Sequence, residues 1–186
     1  MKSFLRELLI TFGLALAIYL VLQTSIQSSI VSNISMEPGL IAGDRLIVIK
    51  PIYSFASPER GDVIIIHPPI EPQKEYVKRL IGLPGDTVQI SGGRVFINAT
   101  ALEEPYLKET PDYQYGPFTV PQNNYFVLGD NRNYSNDSHT GWTVTGDKII
   151  GKAWVRIWPA SKFGSAGSYP LNEQLEVKTP ARALSN

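Results

Sequence analysis

Between Glu7 and Asp44 only one residue, Glu37, is charged. The first part of that stretch, L-L-I-T-F-G-L-A-L-A-I-Y-L-V-L from Leu8 to Leu22, has no charge at all. It is apolar all round rather than along one stripe, a pattern that suits lipid better than a half-exposed helix. The strictly apolar part falls short of the roughly 20 residues that cross a bilayer, and Gln23, Thr24 and Ser25 extend it at the interface. Lys2 and Arg6 precede it. The excess of basic residues on the cytoplasmic side then predicts a short cytoplasmic segment at 1–7, a transmembrane anchor at 8–26 and the remainder on the opposite face. A cleavable signal peptide shares the same charged and apolar regions, but Gln23–Ser29 offers small residues without a clear A-x-A site. A buried core helix is the third option.

Composition limits the chemistry open to the chain. Lys plus Arg and Asp plus Glu are both 17 in 186 residues, and nucleic-acid binders usually show a basic excess, so no nucleic acid is expected. With no cysteine, disulfides, thiol catalysis and thiolate zinc sites are excluded. The two histidines, His67 and His139, lie far apart in sequence. A metal site would need carboxylates to complete it, and neither a metal nor an organic cofactor is expected. A serine hydrolase with a histidine base would have to use one of these two.

The body of the chain reads as β. Gly-Asp pairs at 43–44, 61–62, 85–86, 129–130 and 146–147 punctuate it. Gly supplies turn geometry and Asp bonds nearby backbone. Four pairs lead into apolar or β-branched runs, Arg45–Ile49, Val63–Ile66, Thr87–Ile90 and Lys148–Ile150. Further strands are expected at Arg94–Ile97, Tyr125–Leu128 and Ala153–Trp158, with a hairpin around Ser91–Gly93. No segment of helical period follows residue 35. The expectation is a mainly β protein, an antiparallel sheet domain over 30–170 preceded by one transmembrane helix. Residues 98–124, with Pro105, Pro111, Pro117 and Pro121, read as a loop-rich surface excursion, and 171–186 as a polar tail.

Three segments hold reactive groups. Ser35 sits in N-I-S-M-E-P-G-L, just past the apolar run. A serine hydroxyl is a weak nucleophile until a base takes its proton. Lysine serves as that base only when burial lowers its pKa to about 7–8. Lys78, in E-Y-V-K-R-L-I-G-L-P-G-D, has the apolar, strand-like setting this needs. In an extended chain it shares a face with Tyr76 and Leu80, and Arg79 points the other way. One of the two basic residues therefore faces inward if the strand has a buried side. A surface Lys-Arg pair protecting an edge strand is the plainer reading of that segment alone. The third segment, G-D-N-R-N-Y-S-N-D-S from Gly129 to Ser138, is crowded with donors and acceptors, as an ordinary capped loop also is.

Taken together these segments resemble the type I signal peptidases, a family of Ser-Lys serine proteases. The match is carried by S-M-E-P at Ser35–Pro38, R-G-D-V at Arg60–Val63, Y-V-K-R-L-I-G-L-P-G-D at Tyr76–Asp86 and G-D-N-R-x-x-S-x-D-S at Gly129–Ser138, in order and behind an anchor. The resemblance covers roughly residues 5–160. It implies Ser35 as nucleophile and Lys78 as general base, with Ser135 orienting the lysine and Asp137 supporting that loop. The Ser35 backbone N–H contributes to the oxyanion hole. A small residue two positions earlier, here Asn33, completes that hole in the family. Met36, Pro38, Asp130, Arg132 and His139 fall at supporting positions. The implied substrate is a signal-peptide-bearing preprotein, bound as an extended strand with small residues at −3 and −1. Lipid and the export translocon are further partners, and the setting is a plasma or thylakoid membrane with the β domain on the trans side.

Several residues depart from the family pattern. Asn33 has an amide that can donate to an oxyanion or serve only as a turn residue. Gly39 replaces a usual Thr and loosens the loop. His139 replaces a usual Arg, as in cyanobacterial and thylakoid members, which weakens an ion pair with Asp137 and leaves a hydrogen bond. Sequons at Asn33, Asn133 and Asn136 lie inside the proposed site, where a glycan would obstruct it, so an ER-lumenal setting is disfavoured. The R-G-D tripeptide at Arg60–Asp62 is accounted for by a turn into the next strand. Self-cleaving repressors share Ser-Lys chemistry but carry a DNA-binding domain in place of an anchor. The remaining alternative is a catalytically silent, membrane-anchored β domain that binds peptides or partner proteins.

Overall fold

The computed structural model describes residues 2–50 and 52–176. Helix α1 spans Lys2–Ser25. Its 22-residue stretch Phe4–Ser25 is long and apolar enough to cross a membrane, and none of its apolar window is buried against the protein. At 1.5 Å per residue it is about 33 Å long, against about 30 Å of bilayer hydrocarbon. It passes directly into strand β1, Ile26–Ile30, a strand that the sequence pattern does not predict. Its five residues pair with Arg45–Ile49, which is β2.

The other elements are α2 (Ile52–Phe55), β3 (Val63–Ile66), β4 (Tyr76–Gly82), β5 (Thr87–Ser91), β6 (Arg94–Ile97), β7 (Thr100–Ala101), β8 (Tyr115–Thr119), β9 (Asn124–Leu128), β10 (Val144–Thr145), β11 (Ile149–Trp158), β12 (Gly164–Ser165) and α3 (Glu173–Glu176). Eight strands form one sheet in the order β1-β2-β11-β3-β4-β9-β10, with β12 on β11, and four form a second in the order β7-β6-β5-β8. Neighbouring strands are antiparallel, as in the pairs β3–β4, β4–β9 and β5–β6. The fold is thus mainly antiparallel β behind one apolar helix. Lys148 ends a turn, and the rest of the run Lys148–Ile150 joins the run Ala153–Trp158 in one ten-residue strand, β11. It stays continuous through register shifts at Ile149/Gly151 and Ala153/Val155.

Three of the Gly-Asp pairs build the same turn. Gly43, Gly61 and Gly85 take φ of 92°, 91° and 87°. The N–H of each following Asp, 44, 62 and 86, bonds the carbonyl three residues earlier. Each Asp carboxylate in turn accepts the N–H of that same earlier residue, Ile41, Glu59 or Leu83. This is a type II-like turn, which requires positive φ at its third position, and each instance launches a strand.

Three apolar clusters fill the interior. One joins Val31, Met36, Leu40, Val63 and Val77, and so packs the serine loop against the strand that carries the lysine. The second lies around Ile90, Ile97 and Phe126 between the two sheets, and the third around Ile64, Leu80 and Val127. Residues 98–124 include β7 and β8, and their side chains reach inward: Leu102 and Val120 are buried and Glu104 pairs with buried Arg132. At the start of the expected polar tail, Leu171 is buried and the Gln174 amide bonds both the N–H and the carbonyl of Glu103. The rest of that tail, 177–186, lies outside the described residues.

Candidate active site

Strand β4 sets the electrostatics of the site. Of the two basic residues in the K-R pair, one was expected to face inward, yet both are buried, Lys78 at 1% and Arg79 at 2% exposure. The reason is that β4 lies inside the sheet with both faces covered. Arg79 is neutralised by a bidentate pair with Asp130, Nε to Oδ1 at 2.8 Å and Nη2 to Oδ2 at 2.7 Å. It also donates to the carbonyls of Gly61 and Gly167 and lies 3.9 Å from the Tyr106 ring centroid.

Among the described residues Lys78 has no such carboxylate partner. Its amine donates to Ser135 Oγ at 2.9 Å. Burial lowers its pKa from the ordinary value to about 8, opposed by the negative charges of Asp137 and Asp130. A lysine near 8 has a usable neutral fraction around pH 7, which general-base work needs.

Ser35 lies in a tight turn closed by the Glu37 N–H donating to Ile34 O at 3.1 Å, and is itself 4% exposed. Two bonds hold this turn to the loop that carries Ser135. Asn131 N donates to Ser35 O at 2.9 Å, and Asn131 Nδ2 donates to Ile34 O at 3.1 Å. In this resting arrangement the Ser35 hydroxyl donates to Asn33 Oδ1 at 2.8 Å, and the Ser35 backbone N–H reaches the same oxygen at 3.1 Å. Because a backbone N–H only donates, the Asn33 atom facing it is the carbonyl oxygen. Here Asn33 accepts, where the sequence suggested a donor or a turn residue. Resting sites often hold catalytic bonds that re-form only with substrate.

The loop from Gly129 to Ser138 is held from within. Asp137, fully buried, accepts Gly129 N–H at 2.8 Å on one oxygen and faces His139 Nδ1 at 2.7 Å on the other. Ser138 Oγ accepts Val127 N–H at 3.0 Å. Arg132 bonds Gly129 O and grips Glu104 with two N–H groups at 2.8 and 2.6 Å. A Cβ on Gly129 would stand 2.3 Å from Ser135 Oγ and 2.5 Å from Ser35 O, so no larger residue fits between the two serines. Met36 is fully buried behind Ser35, and the Glu37–Pro38 peptide is cis.

The structure therefore brings together Ser35, Asn33, Met36, Lys78, Asp130, Arg132, Ser135, Asp137 and His139. Sequence reasoning passed over Asn131, Glu104 and the glycine requirement at Gly129. Asn131 stands inside a quoted motif, and its amide was the available signal. Glu104 gave none, being one acidic residue in a proline-rich stretch. Among the described residues no group of three or more His, Asp or Glu side chains is placed to hold a metal ion.

A buried lysine bonded to Ser135, on a loop that is itself bonded to the Ser35 turn, is a set of groups that can supply an amine base and a serine hydroxyl to one reaction. Comparison with known proteins specifies it further. The family described as "Signal peptidase, peptidase S26" matches residues 3–158. The chain is 44% identical over 174 residues to "Signal peptidase I" of Leptolyngbya laminosa, covering 89% of this chain and 86% of that one. It is 41% identical to "Probable signal peptidase I-2" of Synechocystis sp., covering 79% and 70%. It is also 39% identical to "Probable thylakoidal processing peptidase 2, chloroplastic" of Arabidopsis thaliana, covering 71% of this chain and 38% of that longer one. The chain belongs to the signal peptidase family, peptidase S26, and is a serine peptidase of the class that removes signal peptides. The reading as a silent peptide-binding domain is not favoured.

Proposed function

We propose that the protein cuts signal peptides from exported preproteins with Ser35 as nucleophile and Lys78 as general base. The observation that carries this reading is the amine of Lys78, buried, bonded to Ser135 and without a carboxylate partner among the described residues. With one N–H held by Ser135, its lone pair can be aimed at the Ser35 hydroxyl. The base takes the Ser35 proton as Oγ attacks the scissile carbonyl. It then returns the proton to the leaving amine, and a water hydrolyses the acyl-serine by the same route. The oxyanion takes over the Ser35 N–H from Asn33, whose amide turns to present Nδ2 as a second donor. Asp137, Asp130, Arg132, Met36, Pro38 and His139 hold these groups in place.

The substrate lies as an extended strand between two free edges. β9 pairs with β4 from Arg79 onward, which leaves Tyr76–Lys78 a strand neighbour on one side only. Strand β1 is the edge of its sheet. Gln27 and Ser29 bond Glu75, so the curled sheet brings that edge to the start of β4. Backbone pairing supplies affinity, and the substrate carries small residues at −3 and −1.

The membrane places the reaction. Helix α1 anchors the chain with Lys2 and Arg6 in the cytoplasm, so the β domain faces the periplasm or the thylakoid lumen. Exposed Trp154, Trp158 and Phe163 suit the headgroup level of a bilayer. The translocon delivers the substrate. The test is to incubate the purified protein in detergent with a preprotein bearing an A-x-A site and to read the product N-terminus by mass spectrometry. One cut, directly after the second alanine, is expected. Cuts scattered without regard to the small residues would overturn the reading.

A further inference from the structure

Side chains, not a backbone ladder, tie the two free edges of the substrate slot together. Among the described residues β1 pairs with β2 alone, and Tyr76–Lys78 of β4 with β3 alone. Across the gap Gln27 Nε2 donates to one oxygen of Glu75 at 2.9 Å, and Ser29 Oγ stands 3.5 Å from the other. Two residues further along each edge, Val31 and Val77 belong to one apolar cluster. Neighbouring strands lie about 4.8 Å apart, so a strand inserted between two edges sets them about 10 Å apart. Facing glutamine and glutamate side chains are long enough to bridge such a gap.

Both edges run the same way. Four antiparallel steps, β1–β2, β2–β11, β11–β3 and β3–β4, separate them, so β1 and β4 are parallel. Helix α1 enters β1 at Ile26, which puts Gln27 at the membrane end, and Ser35 lies past the other end. Glu75 likewise precedes β4, three residues before Lys78. A signal peptide carries its apolar segment N-terminal to its cut. Its strand therefore passes Glu75 first and reaches the dyad with the scissile bond. Alternate side chains of an extended strand share a face, so −1, −3 and −5 point one way. Of these, −5 is the one nearest the membrane and falls at the level of Glu75.

We propose that Glu75 is a specificity-determining residue that reads the substrate side chain at −5, favouring a cationic donor there and disfavouring a carboxylate. The inference rests on the Ser35–Lys78 reading and its extended substrate. Glu75 is exposed, and the two groups that bridge to it, the Gln27 amide and the Ser29 hydroxyl, are neutral. Lys74 beside it is paired with Glu71 instead. A charged donor bonds a carboxylate about twice as strongly as a neutral one. A lysine at −5 therefore displaces the Gln27 amide, whereas a glutamate there meets a like charge.

The test uses the full chain in detergent and synthetic signal peptides that differ only at −5, with lysine, glutamine or glutamate there and alanine kept at −3 and −1. The readout is the ratio of kcat/KM for the lysine peptide to that for the glutamate peptide. Each ratio is taken within one protein, so a loss of folded or active fraction cancels. The unaltered protein is expected to favour lysine by about five-fold at low salt and by less at high salt. Glu75→Gln is expected to bring the ratio to about one, and Glu75→Lys to invert it. The same substitutions at −6, whose side chain faces the other way, are expected to leave the ratio near one in all three proteins. Equal ratios at −5 in the three proteins, or a preference at −6 as large as that at −5, overturn the inference. A second readout is Kd for the same peptides, fluorescein-labelled, on the full-length Ser35→Ala protein with and without each Glu75 substitution. If a Glu75 variant is inactive, the Kd ratios decide by the same criterion. If the unaltered protein cuts none of the peptides, the Ser35–Lys78 reading fails, and the Kd ratios still decide whether Glu75 reads −5.

Discussion

The Lys78 amine donates to Ser135 Oγ at 2.9 Å, across 57 residues of sequence. In the proposed mechanism that bond fixes where the lysine lone pair points. Replacing it with alanine leaves the amine buried but unaligned. Positioned general-base catalysis contributes about 10²–10⁴-fold. Ser135→Ala is expected to lower kcat by about 10²-fold with KM nearly unchanged, measured on a synthetic signal peptide. A loss confined to KM would assign Ser135 to substrate binding instead.

The pH dependence comes from the direction of the Lys78 shift. In the proposed mechanism only the neutral amine accepts the serine proton, and burial brings its pKa down to about 8. Activity is expected to level off above that value and to fall toward acid pH, by up to about ten-fold per unit. A profile flat from pH 6 to 9 would remove Lys78 as the base.

The same burial costs stability. Lys78 has a lower pKa folded than unfolded, so the unfolded chain binds the extra proton between the two values and stability rises with pH across that window. Below about pH 8 the full penalty applies, about 3 kcal/mol for a drop from 10.5 to about 8. Lys78→Met is therefore expected to be inactive yet more stable at pH 7, by roughly 2–3 kcal/mol in denaturant unfolding. The gain should vanish above pH 10.5, the unshifted lysine value.

The 98–124 segment secures the catalytic loop through one ion pair. Arg132 has no exposed side-chain surface and Glu104 very little. Breaking a buried pair by removing one partner costs about 3–5 kcal/mol. Glu104→Gln is expected to lose about 3 kcal/mol of stability and to lower kcat, with thermal unfolding and steady-state rates as the readouts. An unchanged melting temperature would mean that the pair does not hold the loop.

Much of the fold could be read in the sequence because it is written in local chemistry. Gly-Asp turns at 43–44, 61–62 and 85–86 fix their own geometry, and each launches a strand that was expected. Strand β1 was missed because I-Q-S-S-I acquires its strand character from its partner β2, some twenty residues on. Both basic residues of β4 are buried because Asp130 neutralises Arg79 from 51 residues away, a pairing that alternation along one strand does not reveal. The motifs pointed to Ser35, Lys78, Ser135 and Asp137. The support from Glu104 was not legible, because it acts through a contact with Arg132 formed only once the chain has closed. The acceptor role of Asn33 depends on its rotamer, on which sequence is silent.

The central claim is that Ser35 and Lys78 together perform the hydrolysis. The most direct measurement is cleavage of an A-x-A preprotein by the purified protein in detergent, beside Ser35→Ala and Lys78→Ala with folding checked by circular dichroism. The prediction is full processing by the unaltered protein and none by either folded variant. A folded Lys78→Ala protein that processes the preprotein at the unaltered rate would contradict the account.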